Sequence, residues 1–359
     1  IDLGAAWING TEGNPLVGLA DRAGAATVET NFDDVVAFDG KGEIDAAAIG
    51  ASAKAWAEAV REVVVLDEEA GPDDSLDSAL RRVTDLDDPL VAWNVATEIG
   101  AEYAADPDEL SLAWFGSEGQ FAGPDLILPQ GYEPLARHLA DGLTIRSGTE
   151  VTRVTDDGSG VRLDTSRGVV TADRVIVTVP LGVLKAGTIT FDPPLGESKR
   201  AAIARLGFGV LDKVVLAFSE PFWPQSPDVV GLVGAQQPLP ILVNGPSFGA
   251  GPLLVGLRGG AAARSRESLS DQQSVDEVRA ALDAPAPTGA LVTRWAADRY
   301  ARGSYSYLAV GASPADQRAL AEPATERVLF AGEATEPEHF ATVHGAYLSG
   351  VREAQRILG

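Results

Sequence analysis

The chain has 359 residues, a formal net charge of −24 and no cysteine. The charge excludes a nucleic-acid partner because phosphates would be repelled over most of the surface, and the missing cysteine excludes disulfides and thiolate nucleophiles. No apolar run approaches the roughly 18 residues of a membrane span, so we expect a soluble, cytoplasmic protein. The acidity would attract a cationic substrate, or it serves only to keep the protein in solution. Only five of the 28 basic residues are lysine, which suggests a GC-rich bacterial or archaeal genome.

The first predicted elements form a helical lobe. Asn14 and Pro15 predict the start of a helix that ends near Gly24, since asparagine caps helices and proline suits the first helical position. Alanine-rich residues 43–65 and 72–104 predict further helices, interrupted by Gly-Pro and Asp-Pro pairs. We expect this lobe to cover a substrate.

The middle of the chain predicts two sheets. Alternating or continuous apolar segments between residues 148 and 180 (GTEVTRVTDD, GVRLDTS and RVIVTVP) predict strands of a small sheet. A second, mixed sheet is predicted from segments 211–218, 229–233, 240–244, 252–258 and 288–294. Strands and helices alternate in this way in α/β proteins, and we expect two domains that are interleaved along the chain.

The C-terminal region predicts a cofactor site. The apolar strand 328–331 is closed by Gly332, and a long helix with apolar residues at helical spacing from Val343 to Leu358 follows it, starting near Thr342. The first turn of a helix presents unpaired N–H groups and a positive dipole end. This arrangement suits a ring system that becomes anionic on reduction.

Four sequence blocks resemble the flavin-containing amine oxidases, in the branch of the polyamine oxidases and lysine-specific demethylases. The C-terminal block reads AGEAT followed by ATVHGAYLSGVREA. The other three are DLGAAWING near the start, GFGVLDKVV in the middle, and VTRW with GSYSY after it. The resemblance implies an FAD-dependent oxidation of an amine, a polyamine or another primary or secondary amine, to an imine, with O2 reduced to hydrogen peroxide.

The resemblance also implies how the two domains are divided. An FAD-binding, Rossmann-like domain would take residues 1–12, 130–183 and 322–359, and a substrate domain with a mixed sheet and helices would take 13–129 and 184–321. Such an FAD domain opens with a strand, a G-x-G-x-x-G turn and a helix, and the sequence contains no such motif. We therefore expect a nucleotide-binding βαβ unit, on the order of 50 to 70 residues, upstream of Ile1.

The resemblance assigns catalytic roles to three residues. Lys213 would reach the reactive flavin nitrogen through a water and assist oxygen activation or proton movement, although a solvated surface lysine is the alternative. Tyr305 would flank the amine beside the flavin, and Thr342 would form the opposite wall. Burial would lower the pKa of the lysine and let it exchange protons near neutral pH. Core packing is the alternative for Tyr305, as it is for Trp295, which resembles a tryptophan that packs along the flavin.

Cofactor binding would be distributed over several segments. The residues that match the family's flavin-binding positions are Gly4, Ala5, Trp7, Val151, Trp295, Gly332, Glu333, Thr342 and Val343. Asn9 stands where many polyamine oxidases have a histidine, so its part in substrate binding is in doubt. The three histidines do not have the spacing of a metal site.

Two other functions stay open at this point. An L-amino-acid oxidase of the same fold would need an arginine clamp for the substrate carboxylate, for which Arg294 and Arg302 are candidates. A non-enzymatic fragment without its nucleotide-binding half is the other. If the substrate is a polyamine, its distal ammonium would need a carboxylate, and the candidates are Glu12, Glu109 and Glu118.

Overall fold

A computed structural model describes residues 1–67, 70–234, 237 and 239–359. In chain order the helices are α1 (Pro15–Ala23), α2 (Ala46–Asp67), α3 (Leu76–Val83), α4 (Pro89–Asn94), α5 (Ala101–Tyr103), α6 (Glu133–Ala140), α7 (Leu181–Lys185), α8 (Glu197–Arg205), α9 (Gly260–Arg266), α10 (Asp271–Leu282), α11 (Pro314–Ala321) and α12 (Val343–Leu358). The strands are β1 (Trp7–Ile8), β2 (Val28–Thr30), β3 (Val35–Asp39), β4 (Gly42–Glu43), β5 (Asp125–Ile127), β6 (Val151–Asp156), β7 (Val161–Thr165), β8 (Gly168–Ala172), β9 (Val175–Val177), β10 (Thr190–Asp192), β11 (Gly207–Phe208), β12 (Leu211–Ala217), β13 (Val229–Leu232), β14 (Ile241–Asn244), β15 (Leu253–Gly259), β16 (Gly289–Val292), β17 (Ser306–Tyr307) and β18 (Val328–Phe330). The predicted α/β class is confirmed.

A seven-stranded mixed sheet forms the centre, in the order β16-β12-β15-β14-β13-β3-β4. All five strands predicted for a second sheet belong to it. The pair β13–β3 is parallel, whereas β12 runs antiparallel to both β15 and β16. The strands β3 and β4 lie between the predicted helices, in a segment for which no strand was predicted. The segment of β3 gains strand geometry by pairing with β13, a long-range contact that local sequence does not reveal, and β4 pairs with β3.

The helical lobe is more fragmented than predicted. Residues 72–104 contain α3, α4, a π-helical stretch at Val95–Gly100, and the single turn α5. The lobe ends against the central sheet, because a Cβ on Gly259 at the end of β15 would come within 1.7 Å of the carbonyl oxygen of Gly100. Helix α1 agrees with its prediction: the Asn14 side chain accepts from the Leu16 N–H, and Gly24 closes the helix with φ 66°.

Of the three strands predicted for the small sheet, β6 and β7 belong to it and β9 does not. Strands β6, β7 and β8 form a sheet with β10, but β9 pairs in parallel with β18 instead. The strand β9 is short and apolar, and the apolar β18 offers it a partner of the same kind. Val154 of the first sheet and Val177 of β9 share one core with Phe330.

Helix α12 begins where the sequence places it, with Thr342 as the N-cap. The predicted apolar face is wrong, because the buried residues of the helix are His344, Gly345, Ser349 and Glu353, and Leu358 is 85% exposed. The helix docks through polar contacts and a close approach: the Gly332 N–H donates to Ser349 Oγ at 2.8 Å. In the described part of the chain no helix is long and apolar enough to cross a membrane.

Candidate active site

Strand β12 directs Lys213 toward the N-terminal segment. Alternate residues of a strand point to opposite faces, and Val215, two positions along, packs in a core with Ala6. The Lys213 Nζ accordingly donates to the carbonyl oxygen of Gly4 at 2.5 Å and to that of Asp2 at 3.1 Å. The ammonium therefore lies against the DLGAAW segment.

The environment of Lys213 changes its acidity. The residue is 3% exposed, and this burial lowers the pKa of the ammonium to about 8, against the opposing charge of Asp2. The Trp7 ring centroid lies 6.0 Å from Nζ. Burial disfavours the charged form of a lysine, so Lys213 can exchange a proton close to neutral pH.

Tyr305 lies directly before β17, and its hydroxyl contacts the helical lobe. The Tyr305 OH donates to the carbonyl oxygen of Ala101 at 2.6 Å. Desolvation raises the pKa of Tyr305 far above its usual value, and the nearby carboxylate of Glu102 adds to the effect. Tyr305 is therefore a neutral phenol whose orientation is fixed by α5.

Thr342 caps the helix that the sequence assigned to the cofactor. Its Oγ1 accepts from the Gly345 N–H at 2.9 Å and donates to the carbonyl oxygen of His339 at 2.7 Å. The N–H of Val343, at the first helical position, has no intrahelical acceptor because the first turn of a helix leaves its donors unpaired. The start of α12 thus offers a donor to a ligand.

One carboxylate connects the segments of Tyr305 and Thr342. Glu333 accepts from the Ser306 Oγ at 2.6 Å, from the Ser306 N–H at 3.2 Å and from the Ala341 N–H at 2.8 Å. Ser306 follows Tyr305, and Ala341 precedes Thr342. Desolvation raises the pKa of Glu333, and the three hydrogen bonds oppose that rise. The residue holds the β17 and α12 walls at a fixed separation.

The N-terminal segment connects Lys213 to the start of α12. The Tyr132 hydroxyl donates to the Trp7 carbonyl oxygen at 2.6 Å, and Tyr132 packs in the same cluster as Val343. The Trp7 Nε1 donates to Thr30 Oγ1 at 3.1 Å, which fixes the indole.

A pair of carboxylates lies beyond Tyr305, in the helical lobe. Glu102 is accessible to solvent, yet desolvation raises its pKa to about 7, and Glu118 and Asp125 add to the rise. Accessibility together with desolvation indicates a side chain that lines a space enclosed by protein. The Tyr103 hydroxyl donates to Glu118 Oε1 at 2.6 Å, while Glu118 Oε2 is buried without a partner among the described residues.

The remaining predicted residues are spread around these groups. Trp295 is half-buried, and its backbone N–H donates to Asp212 Oδ1 at 3.1 Å. Asn9 is exposed, and its carbonyl oxygen accepts from Asn14 Nδ2 at 2.9 Å. Ala5 is exposed and follows Gly4, whose carbonyl oxygen Lys213 contacts. Val151 starts β6 and packs against the cluster that contains Phe330, two residues before Gly332.

The residues present fit a flavin. Gly332 has a φ of 134°, and a Cβ built there would meet no atom within 4 Å; a Cβ on Gly4 would likewise meet open space. Glycine allows close approach of a ligand to the backbone at such positions. The Val343 N–H in the first turn of α12 and the Lys213 ammonium beside Gly4 are donors that such a ligand could use.

Sequence reasoning missed three residues that shape the site. Glu102 lay outside the family-like blocks, whereas Thr293 and Asp212 lay inside the blocks VTRW and GFGVLDKVV but were not singled out. The sequence did offer one signal for Asp212. It is a charged residue inside an apolar strand, and a buried carboxylate needs hydrogen-bond donors around it.

The chain is similar to known proteins over most of its length. A family profile described as "Flavin containing amine oxidoreductase" matches residues 1–358. The chain is 36% identical to "Polyamine oxidase 4" of Oryza sativa subsp. japonica, over 99% of this chain and 78% of that protein. It is 39% identical to "Lysine-specific histone demethylase 1 homolog 1" of the same organism, over 75% of this chain and 33% of that protein.

A solved putrescine oxidase with putrescine bound has the same fold. Its TM-score is 0.78 at 19% identity, and the match covers 100% of this chain and 88% of that one. The similar relatives named here are plant proteins, so they do not support the bacterial or archaeal source expected from composition. The extent of the family match and the identity to polyamine oxidase 4 show that this chain belongs to the flavin-containing amine oxidoreductases.

Proposed function

We propose that this chain uses FAD to oxidise an amine, a polyamine or another primary or secondary amine, to the imine, with O2 as the electron acceptor. The observation that carries the proposal is the Glu333 carboxylate, which links the segment of Tyr305, on which the Glu102 carboxylate acts, to the segment of Thr342. The reaction balances as RCH2–NHR′ plus O2 giving RCH=NR′ plus H2O2. Water then hydrolyses the imine.

The bound flavin would accept a hydride from the carbon next to nitrogen, and the chain's own residues would do the rest. The substrate nitrogen must be uncharged to release a hydride, and Tyr305, as a neutral phenol, places no negative charge beside it that would favour the ammonium form. Lys213 would hold or pass a proton near the oxygen chemistry, which its pKa of about 8 allows near neutral pH.

The cofactor would contact several segments. We assign its binding to Gly4, Ala5, Trp7, Val151, Trp295, Gly332, Glu333, Thr342 and Val343. The division into an FAD domain (1–12, 130–183 and 322–359) and a substrate domain (13–129 and 184–321) belongs to the same proposal.

The carboxylates favour a polyamine over an apolar monoamine. Three acids were candidates from the sequence. Glu109 forms an ion pair with Arg264 at 2.6 Å, which compensates its charge. The backbone of Glu12 forms a β-bridge with Ala122. Glu118 acts on the charge of Glu102, and Glu102 in turn acts on Tyr305. A distal ammonium would find compensation there, because an unpaired buried charge costs several kcal/mol.

The amino-acid oxidase alternative lacks support from its arginines. The Arg294 guanidinium already donates to Asp271, to the Leu269 carbonyl and to the Glu267 carbonyl, and Arg302 is exposed. The acidic pair near Tyr305 would also repel a substrate carboxylate.

The test has two parts. First, the visible spectrum of the purified chain should show an oxidised flavin, and denaturation should release FAD. Second, a peroxide assay should respond to spermidine or putrescine more strongly than to phenylethylamine, and not to L-amino acids. A chain without flavin would favour the non-enzymatic alternative, and peroxide from L-amino acids alone would favour the amino-acid oxidase.

A further inference from the structure

We infer that Asp212 and Thr293 are positioning residues for the proposed reaction, because together they form a buried polar latch that fixes Lys213 relative to Trp295. The inference rests on the proposed function for its catalytic part. Its geometric part concerns only hydrogen bonds within the chain.

The latch begins where regular strand pairing ends. Strands β12 and β16 pair from Ala217↔Gly289 to Val214↔Val292. Beyond Val292 the chain leaves the sheet on its way to Trp295. Without further bonds, the end of β12 that carries Lys213 would have no partner on this side.

Thr293 continues the contact beyond the ladder. Its Oγ1 accepts from the Lys213 N–H at 2.7 Å, and its own N–H donates to the Lys213 carbonyl oxygen at 3.0 Å. The same hydroxyl donates to Asp212 Oδ1 at 2.9 Å. One hydroxyl is therefore both acceptor and donor, which an alkyl side chain cannot reproduce.

Asp212 attaches the segment of Trp295 to this hydroxyl. Its Oδ1 also accepts from the Trp295 N–H at 3.1 Å, so two donors from residues 293 and 295 meet at one oxygen. Asp212 is fully buried, and Oδ2 has no hydrogen-bond partner in the described ranges. Burying a carboxylate costs free energy of folding. An apolar residue would therefore stabilise the fold more at this position if the two hydrogen bonds had no role.

The surroundings act on the charge of this carboxylate. Burial raises the pKa of Asp212 to about 6 and Glu267 adds to the rise, whereas the hydrogen bonds from Trp295 and Thr293 and the charge of Arg258, its cross-strand neighbour on β15, lower it. The Lys213 side chain points to the other face, where Asp2 is the charged group that acts on it. The latch thus acts on Lys213 through its backbone and not through its ammonium.

The central variant is Thr293→Val, which keeps the branched shape and removes the hydroxyl. Thr293→Ser keeps the hydroxyl and should restore the wild-type behaviour. Thr288→Val is the matched control, because the Thr288 hydroxyl donates to the Ala217 carbonyl oxygen at 3.1 Å at the opposite end of the same ladder. Asp212→Asn keeps an acceptor oxygen and should resemble Thr293→Ser.

The first readout needs neither flavin nor activity. The chain has only five lysines, so NMR spectra of protein labelled at the lysine ε-carbon can follow each one against pH, with Lys213 assigned from the spectrum of Lys213→Met. In Thr293→Val the loosened strand end should admit water and raise the pKa of Lys213 from about 8 toward its ordinary value of 10.5. Hydrogen exchange of the Lys213 amide should become about tenfold faster, as loss of one hydrogen bond predicts.

The second readout is kinetic. With spermidine, Thr293→Val should lower kcat about tenfold and leave KM within about twofold, while Thr288→Val should change neither.

The outcomes separate the two proposals. Wild-type kcat and an unchanged Lys213 titration in Thr293→Val would overturn the positioning role. It would also be overturned if Asp212→Asn were as damaging as Thr293→Val, because the charge and not the geometry would then act. A wild-type chain with flavin but without amine-dependent peroxide would refute the proposed function, and the NMR titration would still decide whether the latch sets the Lys213 environment.

Discussion

Replacing Lys213 by methionine should lower turnover without lowering stability. Methionine has a similar length and packs well in buried sites. Burial lowers the pKa of Lys213 from 10.5 to about 8, and at about 1.4 kcal/mol per pKa unit the charged form costs the folded state about 3 kcal/mol. Loss of the two hydrogen bonds to Asp2 and Gly4 costs about 1 kcal/mol each. The free energy of unfolding of Lys213→Met should therefore equal that of the wild type or exceed it by about 1 kcal/mol.

The same numbers fix the pH dependence of stability. Below pH 8 both the folded and the unfolded chain carry the proton, so the folded state bears the full cost. Between pH 8 and 10.5 the unfolded chain binds more protons than the folded one, and stability rises with pH. Lys213→Met should remove the Lys213 part of this rise in urea unfolding curves measured across that range, and leave the part that Lys199 contributes through its own lowered pKa of about 8.

Turnover should respond in the opposite way. If Lys213 moves a proton in the oxygen chemistry, Lys213→Met should lower kcat by a factor of roughly 10² to 10⁴ at unchanged flavin content. Lys199→Met is a matched control: Lys199 is also buried, has a pKa lowered to about 8 by desolvation, and donates to the carbonyl oxygens of Ala319 and Leu320. Wild-type peroxide production by Lys213→Met, or an equal loss in Lys199→Met, would refute the assigned role.

Three further predictions concern the walls of the site. Glu333→Gln should lower stability by about 1 to 2 kcal/mol and reduce flavin content, since its one amide oxygen can accept from the Ser306 Oγ and the Ala341 N–H but its NH2 would then meet the Ser306 N–H, a second donor; unchanged flavin content would contradict the role of Glu333 as a link between the two segments. Glu118→Gln should raise KM for spermidine about tenfold and leave KM for phenylethylamine unchanged, and equal effects on both amines would contradict a distal ammonium site. Because the pKa of Glu102 is about 7, its carboxylate ionises as pH rises through 7, so KM for spermidine should fall over that range in the wild type and less in Glu102→Gln; parallel profiles would argue against the pair.

Much of the fold follows from local patterns in the sequence. The start of α12 at Thr342, the cap of α1 at Asn14 and the five central strands were all predictable, because capping residues and buried apolar runs have strong local signatures. The strand β3 was not, since its segment gains strand geometry only by pairing with β13. The buried face of α12 was also missed, because Ser349 docks that helix through a hydrogen bond and not through apolar contact.

The candidate site shows the same limit. The motif residues Lys213, Tyr305 and Glu333 could be singled out from sequence, but Glu333 as the link between two walls is visible only in three dimensions. Glu102 lies outside the four blocks that resemble the family, and its position near Tyr305 depends on the packing of α5 against β15 of the central sheet. Long-range contacts of this kind leave no periodic or local trace.

The most direct test of amine oxidation is an anaerobic titration of the flavin-loaded chain with spermidine. The account predicts that the visible absorbance of the oxidised flavin disappears, and that it returns on admission of O2 with formation of one H2O2 for each flavin. A spectrum that stays unchanged with spermidine, putrescine and phenylethylamine would contradict the central claim.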